Sequence, residues 1–273
     1  MLLALFPATP DFIAMDDRHL DRIHTLWDEL ADFDAARVDD ALDRLLSFLC
    51  ELVAAQNANW FGAVRLADIL PGDPALGWRP GIVHYLRPSR PVDAKARELT
   101  RKLKQGDIDE TAVRNIALAG RFRANRLVDL ASDSWFESDF YRVYYAGVDQ
   151  ADVIWAGVPV NADAECYFGV FRDGAHPRFT PEERDLIAYA LRGLKWFCRR
   201  QMLGHGLLVA SSPLTPTERS VLQGLLTGQP EKQIAAMLGK SYHTTHDHVA
   251  SIFRKFDVNN RAALMALWLG KAA

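Results

Sequence analysis

Leu214–Leu269 reads LTPTERSVLQGLLTGQPEKQIAAMLGKSYHTTHDHVASIFRKFDVNNRAALMALWL, and this stretch decides the architecture. Thr215-Pro216-Thr217-Glu218 is a capping box. The Thr215 hydroxyl accepts from the Glu218 amide, the Glu218 carboxylate accepts from the Thr215 amide, and Pro216 at the first helical position loses no useful donor. Val221, Leu222, Leu225 and Leu226 follow at one-face spacing, and Gly228 stops the helix. Pro230 opens a second helix with Ile234, Ala235 and Leu238 inward. Gly239 ends it, and Ser241 caps a third helix through the Thr244 amide. Two short helices joined by a few residues that include glycine predict a helix-turn-helix inside an all-α, four-helix unit.

On the third helix, the rotation of about 100° per residue gathers Thr245, Val249, Ile252, Phe253 and Phe256 on one side, which must be buried. His243, His246, Asp247, Ala250 and Arg254 share a second arc. Donors, an acceptor and a small residue on one arc suit base edges in a major groove. Arg254 and Lys255, toward the helix end, are placed to hold phosphates. The candidate DNA contacts are therefore Ser241, His243, Thr244, His246, Asp247, Ala250, Arg254 and Lys255. A solvated face on an ordinary helical hairpin is the bland alternative; the short glycine-containing turn and the capped flanks weigh against it.

The same residues carry a resemblance. Leu214, Thr215, Glu218, Val221, Leu222, Gly228, Ile234, Ala235, Leu238, Ser241, Thr244, His248, Ile252, Lys255, Val258 and Arg261 match the pattern of the LuxR/GerE type of helix-turn-helix domain. The segment resembles that family over about a fifth of the chain. The resemblance implies a domain over 214–273 that binds double-stranded DNA as a homodimer, with its third helix in the major groove. Three positions depart from the pattern. Thr245 stands where the family has Val and must bury a hydroxyl, and His246 replaces a frequent Lys. Asp247 can accept from a cytosine amino group but repels phosphate. A sequence-selective site of modest nonspecific affinity is expected.

His243, His246 and His248 do not make a metal site. Zinc needs three or four converging ligands, and His248 points roughly 140° away from the other two by helical rotation. No metal and no cofactor is expected. The chain has 273 residues and 49% hydrophobic content, enough for two domains with cores of their own. Its net charge of −3 is uneven: from Pro213 onward seven Lys/Arg face four Asp/Glu, so that end is basic and the remainder acidic. The basic end fits a phosphate-facing role. MLLALF at the start is too short to cross a bilayer and acidic residues follow, so neither signal nor membrane anchor is predicted. Cys50, Cys166 and Cys198 form no metal spacing, and an odd, scattered set of thiols fits the cytoplasm.

The first two hundred residues predict an α+β domain over 39–203, behind a helical lead-in over 1–38 and ahead of a linker over 204–213 that includes Ala210-Ser211-Ser212-Pro213. Asp39–Ala55 has helical spacing; Trp60–Val64 and Gly81–Leu86 are strands; 91–103 and 109–119 are helical. Ala151–Val160 and Glu165–Arg172 pair as antiparallel strands across Asn161-Ala162-Asp163. Thr180-Pro181-Glu182-Glu183 repeats the capping box and launches one long helix with Ile187, Ala190, Leu191, Leu194, Phe197 and Gln201 inward. That helix is the expected dimer contact.

DSWFESDFYRVYY (133–145), IWAGVPV (154–160), CYFGVFR (166–172) and RFTPEERDLI (178–187) resemble a GAF-type sensor domain, an antiparallel sheet with flanking helices. No match to the autoinducer-binding domain of acyl-homoserine-lactone receptors is read, nor to a response-regulator receiver. An aromatic-rich sheet of this kind can enclose a small-molecule effector, and Trp60, Tyr85, Trp135, Tyr145, Trp155 and Phe168 are the candidate lining. Cys166 and His176 are the one candidate thiol–imidazole pair for catalysis. No G-x-S-x-G, P-loop or dinucleotide fingerprint occurs, and no enzyme is expected. The reading is a dimeric, sequence-specific transcriptional regulator under effector control. The alternative is a ligand-free protein-interaction module tethered to DNA by its C-terminal domain.

Overall fold

Alternating side chains on Asn57–Arg65 (β1), Trp78–Tyr85 (β2), Asp152–Asn161 (β4) and Ala164–Arg172 (β5) build a sheet that a short strand, Arg123–Arg126 (β3), completes. The order is β2-β1-β5-β4-β3, with every pairing antiparallel. The computed structural model describes residues 16–66, 71–105, 107–208 and 214–269, and five strands occur among them. The antiparallel sheet flanked by helices is the expected class, to which the GAF label is a loose fit. β3 is a strand that the sequence reading does not contain: four residues, Arg-Ala-Asn-Arg, carry too little alternation to announce one.

Helices cover both faces. One face carries α1 (Asp17–Asp32), α2 (Val38–Leu52), α7 (Pro181–Arg192) and α8 (Lys195–Gly204). Their apolar stripes close a solid core around Trp60, Ile154, Ala156, Cys166 and Phe168, all fully buried. Trp60 and Phe168 face each other across β1 and β5. The opposite face carries α3 (Arg90–Lys104), α4 (Glu110–Ile116), α5 (Leu127–Leu130) and α6 (Asp139–Tyr144) over Phe61, Trp155, Tyr167 and Phe171.

The helix launched at Thr180 is capped as expected, the Thr180 amide donating to Glu183 at 2.8 Å. It does not run on as one helix, because α7 ends at Arg192 and α8 begins at Lys195. Trp27 of α1 supplies the cause. Its indole Nε1 donates to the Ala190 carbonyl at 2.9 Å, the acceptor that the Leu194 amide would use in a continuous helix. The Leu194 amide turns to Leu191 instead, at 3.1 Å. Trp27 also presses on Gly193, where a β-carbon would stand 3.2 Å from the ring.

The C-terminal helices are α9 (Pro216–Leu226), α10 (Glu231–Met237), α11 (Tyr242–Lys255) and α12 (Arg261–Trp268). Val221, Leu222, Leu225, Ile234, Val249, Ile252, Phe256, Leu264 and Leu267 form their shared core. Gly228 and Gly239 take φ of +84° and +60° at the ends of α9 and α10, where a β-carbon would be strained. Of the expected linker, 209–213, which holds Ala210-Ser211-Ser212-Pro213, lies outside the described residues. Residues 204–207 are buried. No helix among the described residues is long and apolar enough to cross a membrane.

Candidate nucleic-acid interface and interior cavity

The outward face of α11 is set by what fixes its inward face. Thr215 Oγ1 accepts from the Glu218 amide at 3.2 Å and Glu218 Oε2 accepts from the Thr215 amide at 2.8 Å, so the capping box closes. The Glu218 carboxylate also takes Ser251 Oγ at 2.8 Å and Lys255 Nζ at 2.8 Å, which pins α11 against α9. Burial opposes the charge of Glu218, but Lys255, the Thr215 amide and Ser251 together outweigh it and lower its pKa to about 2. Thr245, fully buried, donates its hydroxyl to the Ser241 carbonyl at 3.1 Å, which is how the chain accommodates an alcohol in this core. Arg261 donates to the Gln229 carbonyl at 2.8 Å and to Gly224 and Leu225, taking up acceptors left at the end of α9.

With that side locked, Ser241, His243, Thr244, His246, Asp247, Ala250 and Arg254 are all exposed. The structure therefore places seven of the eight candidate DNA contacts on the open surface. Lys255 differs: its side chain is 18% exposed and its ammonium is turned onto Glu218, so the geometry gives it an internal partner rather than a phosphate. Ser241 caps α11 through the Thr244 amide at 3.0 Å. His246 Nδ1 lies 2.9 Å from Glu231 Oε2, and its ring stacks on Tyr242 at 6.0 Å. Tyr242, 46% exposed at the first position of α11, is absent from the sequence-derived set. Its signal was available, since it directly follows the capping serine. No cluster of metal-ligating side chains occurs among the described residues.

On the far side of the sheet lies a cavity in two compartments, of about 130 Å³ and 70 Å³, each partly open to solvent. Phe61, Pro80, Leu99, Tyr145 and Trp155 line both. The larger compartment adds Trp78, Ala112, Ile116, Phe140 and Tyr167; the smaller adds Tyr85, Phe171, Gln150 and Lys95. Of the six candidate ligand residues, Tyr85, Tyr145 and Trp155 line it. Trp60 and Phe168 do not: strand alternation turns them into the helical core on the other face. Trp135 sits behind the wall, packed edge-on against Tyr145 with centroids 5.2 Å apart. Phe61, Trp78 and Tyr167, absent from the sequence-derived lining, belong to the site.

Polar rivets hold this wall. Asp109 caps α4 and accepts from Thr111 Oγ1 at 2.8 Å and Trp135 Nε1 at 3.0 Å. Its burial raises its pKa in spite of these bonds. Burial likewise raises the Tyr145 and Tyr85 hydroxyls, which stay protonated donors. Arg123 grips Glu165, fully buried, at 2.9 Å and gives Nε to Asn115 at 2.6 Å and Nη2 to Tyr167 at 2.8 Å. Gly157 leaves room for that guanidinium, since a β-carbon there would stand 2.6 Å from Arg123 Cζ. Forty-two residues separate Arg123 from Glu165, so no local pattern announces the pair. Cys166 and His176 are not brought together: Cys166 contacts the Cys198 carbonyl inside the core, while exposed His176 bonds Asp173.

Residues 212–268 match the model of the family of bacterial regulatory proteins, luxR family. This segment is a luxR-family helix-turn-helix domain. No curated protein matches the chain. Among solved structures, SdiA in complex with octanoyl-rac-glycerol is similar at 12% identity over 94% of this chain and 96% of its own, with a TM-score of 0.49. The VqsR LBD domain from Pseudomonas aeruginosa is similar at 14% identity over 68% of this chain and 96% of its own, at 0.45. The N-acylhomoserine lactone dependent LuxR family transcription factor CepR2 from Burkholderia cenocepacia is similar at 16% over 67% and 98%, at 0.45. The sequence gives no sign of these likenesses upstream of the luxR-family domain; at such identities side-chain patterns no longer carry them.

Proposed function

We propose that this LuxR-family DNA-binding regulator acts as a homodimer in the cytoplasm and reads a partly palindromic site. A small, largely apolar effector in the cavity beneath α3 and α4 controls it. The observation that carries the reading is the exposed arc His243–His246–Asp247–Ala250–Arg254, held outward by the Glu218 hub on a luxR-family fold. Two-fold pairing sets two such helices about one duplex turn apart. The free, buried thiols of Cys50, Cys166 and Cys198 support a reducing compartment. The apolar walls and few polar groups of the cavity suit a ligand that is mostly hydrocarbon.

The test is selection of duplexes from a random pool by the full chain. Enrichment of a two-fold symmetric site is expected, and indifference to every duplex at low salt sinks the proposal. Arg254→Ala is expected to weaken binding to all sequences and to reduce the salt slope by about one. Asp247→Ala is expected to change base preference at one position, worth about 1–3 kcal/mol of discrimination. For the cavity, a selective ligand raises the melting temperature of the chain by mass action, and filling the cavity by Ala112→Trp abolishes that rise.

A further inference from the structure

The segment that leaves α8 is wedged into the sheet. Gly206 takes φ +70° and turns the chain back so that the Leu207 amide bonds the Met202 carbonyl at 2.8 Å. Leu207 then drops into a notch made by two glycines on neighbouring strands. A β-carbon at Gly62 would stand 2.5 Å from Leu207 Cδ1 and 2.6 Å from Met202 Sδ, and one at Gly81 2.6 Å from Leu207 Cδ2. The notch is open only because both positions lack side chains. Their neighbours Phe61, Ala63 and Pro80 point the other way and wall the cavity.

The DNA-binding domain is fastened beside this notch. Arg219 of α9 pairs with Asp39 in the first turn of α2, and the Leu214 amide bonds the His205 carbonyl at 3.3 Å. Leu203 lies in the core of the DNA-binding domain, and Leu208 packs against that core and the sensor core alike. His205 is fully buried, stacks on Trp60 at 4.9 Å, and has its Nε2 3.7 Å from Asp39. Burial, then the Arg219 and His84 charges, lower its pKa to about 3, so it stays neutral and leaves Arg219 as the cation on Asp39. None of these contacts covers the exposed arc of α11.

We propose that Leu207 in the Gly62–Gly81 notch, with the Asp39–Arg219 pair beside it, is the joint through which the cavity sets the orientation of the DNA-binding domain. The inference rests on the cavity being an effector site. Filling the cavity shifts the β1–β2 strip, and the same strip is the seat of Leu207. A shift of the seat moves the backbone that carries Leu214 and α9. Coupling of this kind is reciprocal: whatever disturbs the joint changes the affinity of the cavity.

The experiment uses the full chain, hydrogen exchange over 203–208 and 214–219, and Nile red as an uncharged probe of the cavity, with Ala112→Trp as the filled control. Asp39→Lys and Arg219→Glu, each alone, are expected to raise exchange over 214–219 about tenfold, and the double variant to restore it. Gly62→Ala is expected to unseat Leu207, to raise exchange over 203–208 and to change dye affinity about threefold or more, as does each single charge variant. Should Gly62→Ala fail to fold, the charge pair carries the test. Single charge variants that exchange like wild type, or a double variant that does not recover, overturn the joint. Dye affinity indifferent to the joint variants overturns the coupling alone. A wild-type chain that takes up no dye overturns the cavity reading, and the coupling with it.

Discussion

The two faces of the sheet carry comparable aromatic weight and do opposite things with it. On the helical face Trp60, Phe168 and Phe197 are fully or almost fully buried among α2, α7 and α8, and the space is filled. On the other face Phe61, Tyr145, Trp155 and Tyr167 stand around a hollow. Hydrophobic content alone therefore says nothing about a pocket. The difference lies in the covering helices. Those on the solid face present continuous apolar stripes, whereas α4 and α6 are short, and α4 is fixed by polar contacts, Asp109 at its N-terminus and Arg123 on its Asn115.

That contrast can be broken by substitution. Phe168→Ala on the solid face is expected to cost about 3–5 kcal/mol, measured by urea unfolding, because the removed ring leaves a cavity inside packed surroundings. Trp155→Ala on the hollow face is expected to cost less than half as much, because that ring already borders empty space, yet to abolish effector or dye binding. Equal costs on both faces would show the hollow to be packed core. The smallest effect concerns Asp109. A carboxyl whose folded pKa lies above its unfolded value of 3.8 stabilises fully below that value and loses the contribution as pH rises through the folded pKa. Wild type is therefore expected to lose stability relative to Asp109→Asn as pH rises above the ordinary carboxylate value of 3.8, a difference read from paired unfolding curves. Identical pH profiles would place the carboxylate in a better-solvated site than the wall of the cavity.

The reach of the sequence differs between the same regions. In the DNA-binding domain the first three helices are declared by residues within four positions of them: Thr215 with Glu218, Gly228, Gly239, Ser241 with Thr244. The outward arc of α11 then follows from rotation alone. The one candidate contact that the structure turns inward, Lys255, is held by Glu218, thirty-seven residues away. In the N-terminal α+β domain the strands of the β4–β5 hairpin were legible from alternation and turn residues. The break between α7 and α8 was not, because Trp27 makes it from 163 residues upstream.

Period-two alternation separates Trp60 from Phe61 and Phe168 from Tyr167, so the sequence by itself determined that these neighbours face opposite ways. It also determined the four-helix DNA-binding unit, since caps and apolar spacing act within single turns of chain. Which face of the sheet is filled and which is hollow was decided only by tertiary structure. So were the grip of Arg123 on Glu165 and the docking of Arg219 on Asp39. These depend on helices and charges brought together from distant parts of the chain, and sequence spacing carries no trace of them.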